Sequence, residues 1–118
     1  MTTSYGKNMK WTVGAPHREA LRAAFEQGLR ISRHSADGDV DIYGLPNDSW
    51  IAIVYVPAAE ALTEDQLRKA PWLELLVDEV EPAAERLVGL GVTKVPYKAT
   101  THPYFQLPGG PVLRLAKR

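Results

Sequence analysis

The chain repeats one order of predicted secondary structure, and this repeat restricts the possible folds more than any other feature. Runs of β-forming residues and amphipathic helical stretches follow the order β-α-β-β-β over residues 9–57 and again over 71–118. Residues 58–70 separate the two units as a linker with a short helix, and residues 1–8 form a polar tail. The repeat predicts an α+β fold built from two βαβββ units.

The first unit begins with a strand in "MKWTVGA" (9–15) and continues with a helix over 16–30. Pro16 suits the first helical turn, where its missing N–H has no partner to lose. Three strands follow in "ISRHSA", "DVDIYGL" and "SWIAIVYVP", separated by the turn signals "DGD" and "PND". The apolar stripe of the helix has helical spacing and contains Leu21, Ala24, Phe25, Gly28 and Leu29.

The linker and the second unit carry clear helix boundaries. Thr63 and Gln66 form the pattern of a capping box, and Pro71 ends the short linker helix. The second unit has a strand over 71–77, a helix in "EVEPAAERLVGLG" closed by Gly89 or Gly91, and three strands in "VTKVPY", "HPYFQL" and "PVLRLA". We expect one side of that helix to be buried, with Val80, Ala83, Ala84, Leu87 and Val88.

Composition excludes several classes of protein. The 118 residues suit one compact domain, which we place at 9–118. Lysine plus arginine and aspartate plus glutamate both number 14, so the basic excess typical of nucleic-acid binding is missing. There is no cysteine, which excludes disulfides and thiolate chemistry. The longest apolar run is too short to span a bilayer, and the N-terminus lacks a signal-peptide pattern, so we expect a soluble, cytoplasmic protein.

Two stretches resemble a known superfamily. "APWLELLVDEVEPAAERLVGLGV" and "YFQLPGGPVLRL" are similar to the strand–helix segment and the final strand of the vicinal oxygen chelate superfamily, which includes glyoxalases, bleomycin-resistance proteins and extradiol dioxygenases. "MKWTVGAPHREALRAAFEQGLRI" resembles the first unit more loosely. The resemblance implies a curled mixed sheet that forms an open cup, with helices on the outside. It also implies a homodimer with pockets near the subunit interface.

The metal-binding positions of this superfamily are changed here. Its enzymes hold a divalent metal on ligands from the first and fourth strands of each unit. The resemblance places these positions at Lys10 (with Thr12 next on the same face), Ala52, Trp72 and Arg114. None is a usual metal ligand, and Lys10 and Arg114 would repel a cation. We therefore predict no metal and no cofactor at these positions.

The resemblance instead suggests an ion pair in the cup. Because alternate residues of a strand share a face, Glu74 would lie beside Trp72 and could pair with Arg114 on the neighbouring strand. Either Arg114 and Trp72 hold an anionic or aromatic ligand, or Glu74 satisfies Arg114 and the protein's own side chains fill the cup. The candidate ligand-binding residues are Trp72, Glu74, Arg114, Tyr104, Tyr55 and His102.

Two catalytic alternatives stay open. His34, His102 and Glu74 would form a displaced metal site if they converged, since two histidines and a carboxylate are a known metal-binding set. Without a metal, Glu74 could transfer protons as a general acid or base. Either arrangement would make the protein a lyase, isomerase or dioxygenase. The spacing of the histidines supports neither one, and ordinary surface histidines are the simpler interpretation.

The favoured prediction is a metal-free small-molecule-binding protein that resembles the bleomycin-resistance type of sequestering module. Its aromatic cup would exclude water from a small organic ligand. Binders of cationic glycopeptide drugs in this superfamily tend to be acidic, whereas this chain has no net charge. The remaining alternative is a structural dimer whose cup is filled.

Overall fold

The computed structural model describes residues 2–97 and 101–118 and has the same order of elements in both halves. The first half contains β1 (Asn8–Gly14), α1 (Arg18–Ala23), β2 (Arg33–Asp37), β3 (Val40–Gly44) and β4 (Trp50–Val56). The linker contains α2 (Glu64–Arg68). The second half contains β5 (Leu73–Val77), α3 (Val80–Gly89), β6 (Thr93–Val95), β7 (Tyr104–Gln106) and β8 (Val112–Lys117).

Each half forms its own four-stranded mixed sheet. The strand orders are β1-β4-β3-β2 and β5-β8-β7-β6, with the first and last strands of each unit paired in parallel and the other neighbours antiparallel. The predicted α+β fold with two βαβββ units is therefore confirmed. The expected single curled sheet is corrected to two open sheets. Across residues 2–97 and 101–118 no ladder joins the edge strands β1 and β5.

The main apolar core joins the two sheets to α1 and α3, and a smaller cluster of Val95, Tyr104 and Val112 lies in the second sheet. The core-facing strand residues alternate with outward-facing ones, as the pleat requires. Gly28 is needed at the contact between the halves, because a Cβ there would lie 2.7 Å from Cδ2 of Leu87 in α3. The fully buried members with large side chains include Val13, Leu21, Phe25, Ile53, Leu87, Phe105, Leu113 and Leu115.

The helix predictions hold except at one position. The predicted apolar stripe of the first helix is buried, although its last turn, Ala24–Gly28, is π-helical. The side chain and backbone of Thr63 form the predicted capping box with Gln66. Gly91, just beyond α3, has a φ of 85°, the left-handed conformation expected after a helix. Val88 is 55% exposed, however, because it lies one residue beyond Leu87 and turns away from the core.

The other face of each sheet is only partly covered. In the first sheet Lys10 pairs with Ala52 and Thr12 pairs with Val54, and all four side chains are half-buried or exposed. In the second sheet Leu76 is 51% exposed on the same kind of outward face. The outer faces are therefore the surfaces on which functional side chains can meet a ligand or a partner.

A buried ion pair ties α1 to the first sheet. Asp41 of β3 is fully buried and accepts two hydrogen bonds of 2.8 Å from Nε and Nη2 of Arg22. The Nη1 atom of Arg33 lies 3.8 Å from the same carboxylate. Burial acts most strongly on the pKa of Asp41 and would raise it, but the bonds and charge of Arg22, with Tyr55 and Arg33, together hold it below its ordinary value. Removing either partner would leave the other charge without compensation, which destabilises the folded state.

None of the helices in the described ranges 2–97 and 101–118 is long and apolar enough to cross a membrane.

Replacing Arg22 by methionine should lower the free energy of unfolding at neutral pH by about 2–3 kcal/mol, because it leaves the buried Asp41 carboxylate without its main partner. Urea denaturation measures this loss. Arg118→Met is the matched control, since its pair with Asp78 is largely exposed and its removal should cost less than about 0.5 kcal/mol.

The pH dependence gives the sign of the Asp41 contribution. In the unaltered protein the pKa of Asp41 is lower in the folded state than its value of about 3.9 in the unfolded chain. The ionised carboxylate therefore stabilises the fold at pH values above about 3.9. This contribution is lost as the pH falls through the lower pKa of the folded state. In Arg22→Met the buried acid prefers its neutral form, so the cost of the substitution should shrink below about pH 4. An equal cost at neutral and acidic pH would contradict the buried ion pair.

Candidate functional site

Strand register brings three polar side chains into one row on the outer face of the second sheet. Glu74 of β5 is the register partner of Arg114 in β8, and Arg114 is also the partner of Tyr104 in β7. Their neighbours Leu113 and Leu115 point the opposite way into the core. The row therefore follows directly from the parallel β5–β8 pairing and the antiparallel β7–β8 pairing.

Arg114 is the centre of this row. Its Nε donates to Oε2 of Glu74 at 2.8 Å, and its Nη2 also contacts that oxygen. Its Nη1 donates to the Tyr104 hydroxyl at 3.2 Å. The hydrogen bonds to Glu74 raise the pKa of Arg114, and the bond to Tyr104 acts in the same direction, so the group stays cationic. Both bonds to Glu74 end on one carboxylate oxygen.

Aromatic rings surround the guanidinium. The Cζ atom of Arg114 lies 4.6 Å from the centre of the Trp72 ring and 5.8 Å from that of Tyr104. Trp72 and Tyr104 meet edge to face at 5.1 Å, and Tyr97 meets Tyr104 in the same way at 4.8 Å. We call Trp72, Glu74, Tyr97, Tyr104 and Arg114 the arginine cluster. Trp72 is 41% exposed, so the cluster opens to solvent on that side.

The linker helix forms one wall of this cluster, which sequence reasoning missed. Gln106 is buried, and its amide donates to the backbone carbonyls of Glu64 and Gly110, both at 2.8 Å. Its oxygen accepts from Nε of Arg68 at 2.6 Å. The Tyr97 hydroxyl donates to the backbone carbonyl of Arg68 at 3.3 Å. Gln106 thus holds α2 beside the aromatic rings.

Two features made this wall hard to predict. The capping box identified α2, but no sequence pattern showed which sheet it contacts. Gly110 has a φ of 111° and lies so close to Leu67 that an added Cβ would be 2.5 Å from its Cδ1. The Pro-Gly-Gly signal predicted a turn. Only the tertiary structure shows that Leu67 of α2 also packs against the glycine backbone of this turn.

The structure brings four of the six predicted ligand-binding residues into one neighbourhood. Trp72, Glu74, Tyr104 and Arg114 are in contact in the arginine cluster. His102 is half-buried two residues before Tyr104, and its Nδ1 lies 3.2 Å from the Thr101 hydroxyl oxygen. Whether any of these residues binds a ligand remains a prediction.

Tyr55 must be removed from this group. It is 3% exposed and belongs to the apolar core, with the guanidinium of Arg18 4.3 Å from its ring centre. Burial and the nearby Asp41 carboxylate raise the pKa of Tyr55. Its odd-numbered position in β4 turns the side chain towards the helices, because alternate residues of a strand face opposite sides.

The alternative metal ligands lie on different sheets. His34 is in β2 of the first sheet and packs edge to face against Trp50 at 4.9 Å, whereas Glu74 is in the second sheet and bonds to Arg114. Over residues 2–97 and 101–118, no group of three or more histidines and acids is arranged to hold a metal ion. Lys10 and Ala52 are register partners in the first sheet and bring no oxygen or imidazole ligand to the predicted position.

A wide cleft lies beside the cluster, at the gap between the two sheets. It has a volume of about 1140 Å³ and is bordered by the start of β1 and the whole length of β5. Glu74 lines it, while Trp72, Tyr104 and Arg114 are not among its lining residues. The cleft and the arginine cluster are therefore neighbouring sites that share one carboxylate.

Solved structures with the same fold carry several functional names. A "possible Glyoxalase from Bacillus cereus" has a TM-score of 0.68 and 16% identity, over 92% of this chain and 95% of that one. TnmS3, an antibiotic-binding protein from Streptomyces sp. CB03234, has a TM-score of 0.66 and 17% identity, over 99% of this chain and 98% of that one. The fosfomycin resistance protein FosX from Mesorhizobium loti has a TM-score of 0.66 and 17% identity, over 100% of this chain and 94% of that one.

These likenesses show that the chain shares the fold of these proteins, which agrees with the two-unit architecture that the sequence resemblance implied. No protein-family model matches the sequence, and neither does any curated protein. At identities this low the structures establish the architecture alone. The function has to be argued from the residues of this chain.

Replacing Gln106 by leucine should lower the free energy of unfolding by about 2 kcal/mol, because it leaves Arg68 and two backbone carbonyls without their buried partner. Gln27→Leu makes the same chemical change at an exposed position and should have little effect. Urea denaturation compares the two variants. Equal stability for both would show that Gln106 does not hold α2 on the sheet.

Proposed function

We propose that the protein binds a small organic anion with a flat apolar part at the arginine cluster and sequesters it in the cytoplasm, without a metal ion. The sequestering role is that of bleomycin-resistance-type modules. The observation that carries the proposal is a partly exposed guanidinium that lies over the ring of a partly exposed tryptophan. The sequence resemblance implies an acidic metal ligand at this position in the superfamily's enzymes.

The positive charge of Arg114 favours a negatively charged ligand. The ring faces of Trp72 and Tyr104 that would attract a cationic ligand are already close to this guanidinium. A ligand carboxylate can instead take the place of Glu74, which uses a single oxygen for both of its bonds to Arg114. The proposed ligand is therefore an anion that exchanges with the Glu74 carboxylate.

The surroundings of Arg114 favour a flat ligand. Trp72 is 41% exposed and offers an aromatic surface next to the charged centre. Tyr104 is only 7% exposed and supports the rings of Trp72 and Tyr97 through edge contacts. A planar molecule with one acidic group would stack on Trp72 and bond to the guanidinium at the same time.

The chemistry of the four superfamily positions supports the metal-free part of the proposal. Arg114 is a permanent cation, Lys10 carries an amino group in place of a carboxylate or imidazole, and the side chains of Ala52 and Trp72 have no metal-binding atom. A divalent ion at this centre would be repelled by the guanidinium. The antibiotic-binding TnmS3 shares the fold, and by analogy a binding role is compatible with this architecture.

Naphthoate, a flat aromatic carboxylate, should raise the thermal unfolding midpoint of the protein, because it binds only the folded state. Arg114→Met and Trp72→Ala should each reduce this shift while leaving the midpoint without ligand nearly unchanged, since both side chains are partly exposed. Lys94→Gln removes an exposed cation that belongs to neither the arginine cluster nor the cleft, and it should keep the shift. Lower midpoints without ligand, and no shift in any variant, would instead favour the filled structural cup.

Elemental analysis of untagged protein, purified without chelators, tests the metal-free part separately. The proposal expects no stoichiometric divalent metal. Zinc, nickel, manganese or iron at about one equivalent would overturn it and redirect attention to His34, His102 and Glu74.

The proposal includes a homodimer. Its support is the outer face of the first sheet, where Thr12, Ala52 and Val54 are only half-buried. Light scattering should give twice the mass of one chain, and Val54→Glu should shift the protein towards the monomer. A monomeric mass for the unaltered protein would contradict this part.

A further inference from the structure

The cleft between the two sheets is bordered by apolar side chains and by sheet edges. All five residues of β5, from Leu73 to Val77, line it together with Lys7, Asn8 and Met9 at the start of β1. Trp50 and Leu76 contribute exposed apolar surface, 37% and 51% exposed respectively. The volume of about 1140 Å³ is large enough for a drug-sized molecule.

The backbone of β5 supplies hydrogen-bonding groups to this cleft. The carbonyl of Val77 accepts from the backbone N–H of Arg118, at 2.9 Å, so Val77 directs its backbone groups towards β8. In a parallel ladder alternate residues direct both their N–H and C=O to the same side. Glu74 and Leu76 therefore direct theirs to the open edge, where a polar part of a ligand can bond to them.

The charges around the cleft are not balanced. Of the three acids that line it, Glu74 bonds to Arg114 and Asp78 bonds to Arg118, which leaves Glu79. Of the four cations, Lys7, Arg30 and Arg86 have no carboxylate within salt-bridge distance among the residues the structure describes. Nε of Arg86 donates to the Gly28 carbonyl at 2.8 Å, which places this guanidinium at the turn that carries Arg30. The uncompensated charge around the cleft is positive.

We infer that this cleft is a second binding site, for an amphipathic organic anion. The apolar body of the ligand lies along β5 against Leu76 and Trp50, and its acidic group lies between Arg30, Arg86 and Lys7. The site differs from the arginine cluster in its lining, and the two share only Glu74. It does not depend on the ligand proposed for Arg114.

Anilinonaphthalene sulfonate is a suitable probe, because it combines an apolar aromatic body with a permanent negative charge. Its affinity is measured by the rise in dye fluorescence on titration with protein. The double variant Lys7→Gln, Arg30→Asn should weaken binding about tenfold. Asparagine is chosen because Arg30 has a φ of 57°, a left-handed conformation that asparagine tolerates. Lys69→Gln, Lys94→Gln removes two exposed charges outside the cleft and should leave the affinity unchanged.

Phenylnaphthylamine has the same apolar body without the sulfonate, and its affinity should be unchanged by Lys7→Gln, Arg30→Asn. Backbone amide shifts in nuclear magnetic resonance should move at Asn8, Glu74 and Leu76 when the sulfonate dye binds. Loss of dye affinity in Arg114→Met, with none in the cleft variant, would place the dye at the arginine cluster and overturn this inference while leaving the proposed function standing. Absence of dye binding, or equal weakening in the Lys69 and Lys94 control, would overturn it as well.

Discussion

The parallel pairing of the first and last strands in each unit is the constraint on which the rest of this structure depends. It places β1 beside β4 and β5 beside β8, so each unit has one edge strand towards the gap between the sheets. The pleat then directs alternate residues into one common core or onto an outer face. Arg114 reaches the outer face for the same reason that Leu113 and Leu115 reach the core. The arginine cluster and the cleft both result from this geometry.

The two halves of the structure each contain an ion pair, and the two pairs differ in their exposure to water. In the first half the ion pair of Asp41 and Arg22 is turned inwards, where it fastens a helix to the sheet and is inaccessible to a ligand. In the second half the pair of Glu74 and Arg114 is turned outwards and remains partly exposed. Water screens the outer pair, which makes exchange of Glu74 for a ligand carboxylate far less costly than exchange of Asp41 would be. The two halves of the repeated fold therefore carry one buried ion pair and one partly exposed ion pair.

Much of the fold and part of the candidate site could be predicted, where local patterns were sufficient. The helical stripe through Phe25 and the capping box at Thr63 depend on neighbours in sequence, and both were predicted correctly. The contact of Glu74 with Arg114 followed from the resemblance and from strand alternation. Tyr55 was assigned to the wrong environment because an aromatic residue suits a ligand surface and a core equally well. The role of Gln106 depends on a helix 38 residues away in sequence and has no local signal.

The sequence by itself determined the order of elements and the apolar faces of the helices, and it puts a guanidinium, not a carboxylate, at position 114. These properties depend on residue type and short spacing, which a linear chain already contains. The tertiary structure alone decided that the two units form separate sheets, that α2 closes one side of the arginine cluster, and that Lys7, Arg30 and Arg86 line one cleft. These properties depend on contacts between residues far apart in the chain, and such contacts are set by how the two units pack around their common core.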